Sequence, residues 1–132
     1  MKASPDVITS LLPHQRFVFG SNQAGIHGAG AARFAARFFG AELEVGEGPT
    51  GNCYAIPTKD YDIVSRSLRE IRQSVHQFLD YARSKPEIEF LVTQIGCGLA
   101  GFTPTEIAPM FVNSPENVLL PQSFLEYIIH EE

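Results

Sequence analysis

The sequence predicts an α/β fold of three layers, with helices on both faces of a mixed, mostly parallel sheet. Short apolar segments rich in aromatic and β-branched residues alternate with segments whose apolar residues recur every three or four positions. This alternation is typical of a sheet whose strands are joined by right-handed helical crossovers. With 132 residues, 44% of them hydrophobic, the chain is predicted to form a single domain, 1–132.

The first half of the chain contributes two predicted strands and one helix. Residues 16–20 are aromatic and β-branched and end at a glycine, which predicts a buried strand. Alanines and phenylalanines at helical spacing predict a helix over residues 29–39, closed by Gly40 as its C-terminal cap. Residues 42–52 have the composition of an exposed loop or short hairpin, and residues 53–57 predict a second strand ended by proline. The residues before the first strand are expected to form a short turn or helix without function.

The second half contains the clearest periodic segment of the chain. Apolar residues over 68–82 follow the spacing of an amphipathic helix. Residues 88–94 predict a third strand, and a capping-box pattern with proline at the first helical position predicts that a helix begins at Pro104. A last short strand over 117–120 and a terminal helix over 122–130 complete the predicted fold.

Composition and charge argue against several classes of function. A net charge of −5 and a pI of about 5.3 do not fit an extended nucleic-acid-binding surface. No apolar run approaches the length of a transmembrane helix, and the N-terminus lacks the apolar core of a signal peptide, so a cytoplasmic location without membrane contact is predicted. Cys53 and Cys97 are expected to be free thiols, and their spacing offers no zinc site. No metal and no cofactor are predicted.

Two glycine-rich segments each follow a predicted strand and lead toward a helix. Clustered glycines indicate a backbone that needs positive φ or approaches a ligand closely, and free amides at a helix N-terminus bind anions. Both segments emerge at the carboxyl ends of strands, where α/β sheets bind ligands, so they are expected to form one phosphate cradle. Its predicted residues are Gly20, Ser21, Asn22, His27, Gly28, Ala29, Gly30 and Ala31 in the first segment and Gly96, Cys97, Gly98, Leu99, Ala100, Gly101 and Phe102 in the second.

Neither segment matches a common nucleotide-binding motif closely. Both lack the Gly-Lys-Ser/Thr ending of a nucleoside triphosphatase loop. The second segment formally has the spacing of the dinucleotide fingerprint, but only a short strand remains after its helix to supply the acidic residue of that motif. Either segment alone would also be explained as a tight turn, and the pair together favours a ligand.

Four side chains near these segments are candidates for chemistry. Asn22 has the donor and acceptor needed to orient a ribose, and asparagine is also a routine turn residue. His27 would hydrogen-bond a phosphate or ribose hydroxyl, or only cap a turn. Cys97 fits a small buried hydrophobe better than a thiolate nucleophile. Lys59 follows the second strand, where a lysine in a dry pocket acts as a nucleophile, although most lysines remain solvated.

The order of these motifs resembles that of the macrodomain superfamily. Phe-Val-Phe-Gly-Ser-Asn over 17–22, followed by His-Gly-Ala-Gly-Ala-Ala over 27–32, is similar to the family's strand, asparagine and first loop. Residues 90–101 resemble its later strand and second loop. Tyr-Ala-Ile-Pro-Thr-Lys over 54–59, a long helix and then Ile-Gly-Cys-Gly-Leu over 95–99 are similar to the branch with terminal ADP-ribose protein glycohydrolases and antitoxins that reverse DNA ADP-ribosylation. The similarity runs from about residue 16 to residue 120.

This resemblance implies a macrodomain-like sandwich with a pocket for free or conjugated ADP-ribose. The amides around 28–31 and 98–102 would hold the diphosphate, and Asn22 would lie near the distal ribose. In the similar branch a lysine at the position of Lys59 attacks the anomeric carbon, assisted by an aspartate of the second loop, where this chain has Ala100. Two functions stay open: a hydrolase, with Lys59 as nucleophile or electrostatic stabiliser and Asp60 in proton transfer, and a reader that binds ADP-ribose without chemistry.

Overall fold

The computed structural model describes the backbone of residues 1–131 and the side chains of residues 1–128. Five strands form one mixed sheet in the order β2-β3-β1-β4-β5, in which only the β2–β3 pair is antiparallel. The predicted α/β class with a mixed, mostly parallel sheet is therefore confirmed. The strands are β1 (Gln15–Asn22), β2 (Gly48–Thr50), β3 (Cys53–Lys59), β4 (Glu89–Val92) and β5 (Val118–Leu119).

The helices begin close to the residues that the sequence predicts. They are α1 (Gly30–Phe38), α2 (Leu68–Arg83), α3 (Pro104–Ile107), which a 3₁₀ helix over Ala108–Phe111 continues, and α4 (Gln122–Glu131). Gly40 lies just beyond α1 with a φ of 79°, the left-handed conformation that a C-terminal glycine adopts at low cost. The predicted start of a helix at Pro104 is confirmed, although α3 itself has only four residues.

Alternation along the strands divides the apolar core between the two faces of the sheet. On β1, Phe17 and Phe19 pack with the buried alanines of α1, while Val18 belongs to the larger cluster that contains the buried faces of α2 and α4. β3 repeats this pattern, with Ala55 in the cluster of α1 and Ile56 in the other. The period of two in a strand thus explains why one set of strand residues packs with α1 and the alternate set with α2 and α4.

The first residues of the chain form no helix, in contrast to one of the two structures expected for them. Ala3 instead pairs in parallel with Leu120, and the Ser4 hydroxyl donates to the carbonyl of Val92 at 2.9 Å. Val7 and Leu12 are 75% and 58% exposed, so they have too little packing to stabilise a helical turn. The contacts of Ala3 and Ser4 join the segment to the residue after β5 and to the carboxyl end of β4.

The topology brings the two glycine-rich segments to the same edge of the sheet. β1 lies between β3 and β4 and runs parallel to both, so the carboxyl ends of these three strands are neighbours. Asn22 at the end of β1 pairs with Lys59 at the end of β3. Within the described residues, no helix has both the length and the apolar character needed to cross a membrane.

Candidate functional site

A cleft of about 470 Å³ opens at this edge of the sheet. Its walls come from the loop after β1, the end of β3 and the loop after β4, which are the segments that the sequence predicts to meet. Among the predicted site residues, those that line the cleft are Gly20, Ser21, Asn22, Gly28, Ala29, Gly30, Ala31, Lys59, Gly96, Cys97, Gly98, Leu99 and Ala100. His27, Asp60, Gly101 and Phe102 do not line it.

The first glycine loop presents free backbone amides at the N-terminus of α1. Within the described part of the chain, the amides of Gly28, Ala29 and Gly30 have no hydrogen-bond partner. Gly30 has a φ of 57°, so a left-handed residue directly precedes helical ones, an arrangement whose successive amides form an anion-binding concavity. No side chain caps α1, and its first turn carries no acidic residue. This helix end can therefore accept an anion without displacing an intramolecular bond.

The second glycine loop contributes amides but no helix N-terminus. Two of its amides make hydrogen bonds within the loop. The amide of Gly101 donates to the carbonyl of Gly98, and the amide of Phe102 donates to the carbonyl of Gly96. The amides of Gly98, Leu99 and Ala100 have no partner among the described residues. The next helix begins only at Pro104, after Thr103 has donated its N–H and hydroxyl to the Glu106 carboxylate. The expectation that both loops would be completed by an open helix end thus holds only for the first loop.

Asn22 and His27 both hold the first loop in shape. The Asn22 side chain accepts from the amide of Ile26 at 3.0 Å and donates to the carbonyl of the same residue at 2.8 Å. The Nε2 atom of His27 lies 2.9 Å from the carbonyl oxygen of Glu42, and its ring packs edge-on against Phe19. His27 does not line the cleft, and its ring contacts the backbone of Glu42, fifteen residues along the chain, instead of capping a local turn.

Lys59 is the one charged residue among those that line the cleft. It ends β3 beside Asn22, and no carboxylate of the described residues lies within ion-pair distance of it. The neighbouring Asp60 turns its carboxylate into its own loop, where Oδ1 accepts from the amides of Asp62 at 2.9 Å and Val64 at 3.1 Å. Lys59 therefore lines the cleft without an acid to pair with it among the described residues.

Cys97 lines the cleft as a protonated thiol. Burial, reinforced by the charge of Glu106, raises its pKa to about 11, and its Sγ atom contacts the carbonyl of Ile95 at 3.5 Å. Since the thiolate is the reactive form, the raised pKa makes a nucleophilic role at neutral pH unfavourable. Cys53 is also a free thiol and lies buried under α1.

A second cleft of about 510 Å³ adjoins the first. The two clefts share the lining residues Gly30, Ala31, Thr93 and Gln94, and the pair is called the groove. The N-terminal segment from Ser4 to Ile8 and Phe34 of α1 are among the residues that line the second cleft. Sequence reasoning assigned no function to this segment, because its position depends on the pairing with Leu120, which no local pattern indicates.

The fold and the groove define an α/β protein whose sheet edge carries two sets of free amides and one lysine. No three histidine, cysteine, aspartate or glutamate side chains in the described residues are grouped as metal ligands would be. Comparison with protein-family models, with curated proteins and with solved structures found no match.

Proposed function

We propose that this protein binds ADP-ribose or a related ADP-ribosyl nucleotide, with the diphosphate held between the two glycine loops. The observation that carries the proposal is the set of free amides on both sides of one cleft, together with Lys59 as its single charge. Neutral amides and one cation form a site for a phosphate anion in a chain whose net charge is −5.

Two adjoining clefts favour a diphosphate that carries a sugar at each end. Gly30 lines both clefts, and the other residues with free amides line the first cleft together with Lys59. In this proposal the second cleft takes the nucleoside, where Phe34 offers an aromatic surface and the carboxylate of Asp6 an acceptor for an exocyclic amine. The terminal ribose then lies near Lys59.

Binding without hydrolysis agrees best with the side chains of the cleft. General acid–base catalysis requires a group that transfers a proton to or from the reacting atoms, and no carboxylate is among the residues that line the first cleft. Asp60, the residue proposed from the sequence for this task, already accepts two backbone amides. The location of Lys59 supports the second candidate, a hydrolase in which the lysine attacks the anomeric carbon.

Titration calorimetry with ADP-ribose, ADP and AMP tests the proposal. We expect ADP-ribose to bind most tightly and AMP most weakly, because each successive part of the ligand fills a further part of the groove. Absence of heat and of a thermal shift at millimolar ADP-ribose would contradict a nucleotide site.

Incubation with ADP-ribosylated protein and ADP-ribosylated DNA separates the two candidates. We expect no release of ADP-ribose above a buffer control, as measured by mass spectrometry. Release by the wild type and not by Lys59→Ala would replace the reader with a lysine-dependent hydrolase. Equal release by both would show a hydrolase in which Lys59 is not the nucleophile.

A further inference from the structure

The turn between β3 and α2 holds a β-branched residue in a conformation that favours glycine. Ile63 has a φ of 62°, where its side chain crowds the backbone. Glu44 is the other non-glycine residue with positive φ among those described. It packs against Gly25, because a Cβ added at Gly25 would come within 2.5 Å of the Cα of Glu44. No comparable packing constraint requires isoleucine at position 63, which is 41% exposed.

Hydrogen bonds from both ends of the turn hold Ile63 in place. The backbone carbonyl of Asp60 accepts from the amide of Ile63 at 3.2 Å, and the amide of Asp60 donates to the carbonyl of Val64 at 2.8 Å. Lys59 and Ser65 form an antiparallel bridge at the base of the turn. The Ser65 hydroxyl then donates to the carbonyl of Ala100 at 2.7 Å, which joins the turn to the second glycine loop. The position of the strained residue is thus fixed relative to the free amides.

Three exposed apolar residues from three separate segments line the first cleft. Ile26 of the first glycine loop is 53% exposed, Ile63 is 41% exposed and Leu99 of the second glycine loop is 75% exposed, and all three line the cleft. The apolar face of a sugar ring or a similar group would cover such side chains, whereas a phosphate would not. Ile63 is the one of the three that stands four residues from Lys59 in the same turn.

We propose that Ile63 selects the ligand by packing on the terminal ribose, beyond the second phosphate. This inference rests on the proposed binding of ADP-ribose and adds the residue that distinguishes ADP-ribose from ADP. Strained backbone conformations that the surrounding structure holds in place are concentrated at ligand sites, and Ile63 lines the first cleft. Removal of the Ile63 side chain should therefore lower the affinity for ADP-ribose, which has the terminal ribose, and leave the affinity for ADP nearly unchanged.

The test compares the affinities of Ile63→Gly and Ile63→Ala for ADP-ribose and ADP with those of the wild type. We expect both variants to bind ADP-ribose about tenfold more weakly, since they lose part of an apolar contact, and to bind ADP within about twofold of the wild type. Val64→Ala is the matched control, because Val64 is an exposed residue of the same turn that does not line the cleft. This control should bind both ligands as the wild type does.

Thermal unfolding of the ligand-free variants checks the conformation independently. Ile63→Gly should unfold at a higher temperature than Ile63→Ala, because glycine adopts positive φ without strain. Unchanged ADP-ribose affinity in both variants would overturn the inference, and so would an equal loss for ADP and ADP-ribose, which would mean that the turn only supports the phosphate loop. Failure of the wild type to bind either nucleotide would refute the proposed function itself, and the role of Ile63 with it.

Discussion

A carboxylate introduced at Gly98 should weaken nucleotide binding about 30-fold while the protein still folds. Gly98 lies in the second glycine loop, and a Cβ at this position would have no atom within 4 Å. Its φ is outside the left-handed region, unlike those of Gly96 and Gly101 on either side of it. Gly98→Glu therefore adds, without backbone strain, a flexible charged side chain to a residue that lines the cleft, and we expect a change in stability of no more than about 0.5 kcal/mol.

The loss of affinity follows from the repulsion between this carboxylate and the diphosphate. At a separation of about 7 Å and an effective dielectric constant of about 20, two unit charges repel by roughly 2 kcal/mol. This energy corresponds to a rise of about 30-fold in the dissociation constant. A closer approach would increase the effect, because the repulsion reaches about 4 kcal/mol at 4 Å.

Titration calorimetry with ADP-ribose at fixed ionic strength measures this loss. Gly98→Gln separates charge from size, since glutamine has nearly the same volume without the carboxylate. Gln77→Glu adds the same charge on the exposed face of α2, away from the cleft, and should leave the affinity unchanged. If Gly98→Glu binds ADP-ribose as tightly as the wild type, the diphosphate does not lie against the second glycine loop.

Three further predictions concern single residues. Lys59→Met should weaken ADP-ribose binding about tenfold in calorimetry, because a charged hydrogen bond to the ligand is lost. The unfolding temperature should not fall, because Lys59 has no ion pair within the described residues. Gly30→Ala should lower the free energy of unfolding in urea by about 1 kcal/mol and weaken ADP-ribose binding, because the φ of 57° at this position suits glycine. An unchanged affinity would exclude the amides at the N-terminus of α1 as the phosphate site. Burial raises the pKa of Cys53 from 9.0 to about 12, so the folded state retains a proton that the unfolded state loses. Its contribution to stability is complete below pH 9 and falls by about 1.4 kcal/mol per pH unit above it, and Cys53→Ala should remove this part of the slope in urea titrations from pH 8 to 10.

Periodicity in the sequence was sufficient to predict α2, because the position of its core residues is set by local spacing. The same reasoning ended the first strand at Gly20, whereas β1 continues to Asn22. The extension depends on pairing with the end of β3, where the register shifts between Ser21 and Asn22. Such pairing joins residues that are far apart in the sequence, so local propensity cannot predict it.

The candidate site shows the same division between local and long-range information. Glycine content located both loops correctly because it reflects the backbone itself. The roles of His27 and Asp60 could not be predicted, since polar side chains also hydrogen-bond to nearby backbone, and only the folded chain shows which partner each one takes. Ile63 gave no signal, because an isoleucine in a polar segment carries no mark of its positive φ.

The helix N-termini explain why the first glycine loop is the part of the fold best suited to an anion. At α2, Ser67 and Glu70 form a complete capping box, and the hydrogen bonds from Ser67 lower the pKa of the Glu70 carboxyl. At α3, the carboxylate of Glu106 turns back to Thr103 in the same way. Capping side chains typically contribute about 1 kcal/mol to stability, and α1 lacks one. A bound phosphate would supply the missing acceptor. The hydrogen bonds that an intramolecular cap would make in the free protein would then form only with the ligand and contribute to its binding free energy.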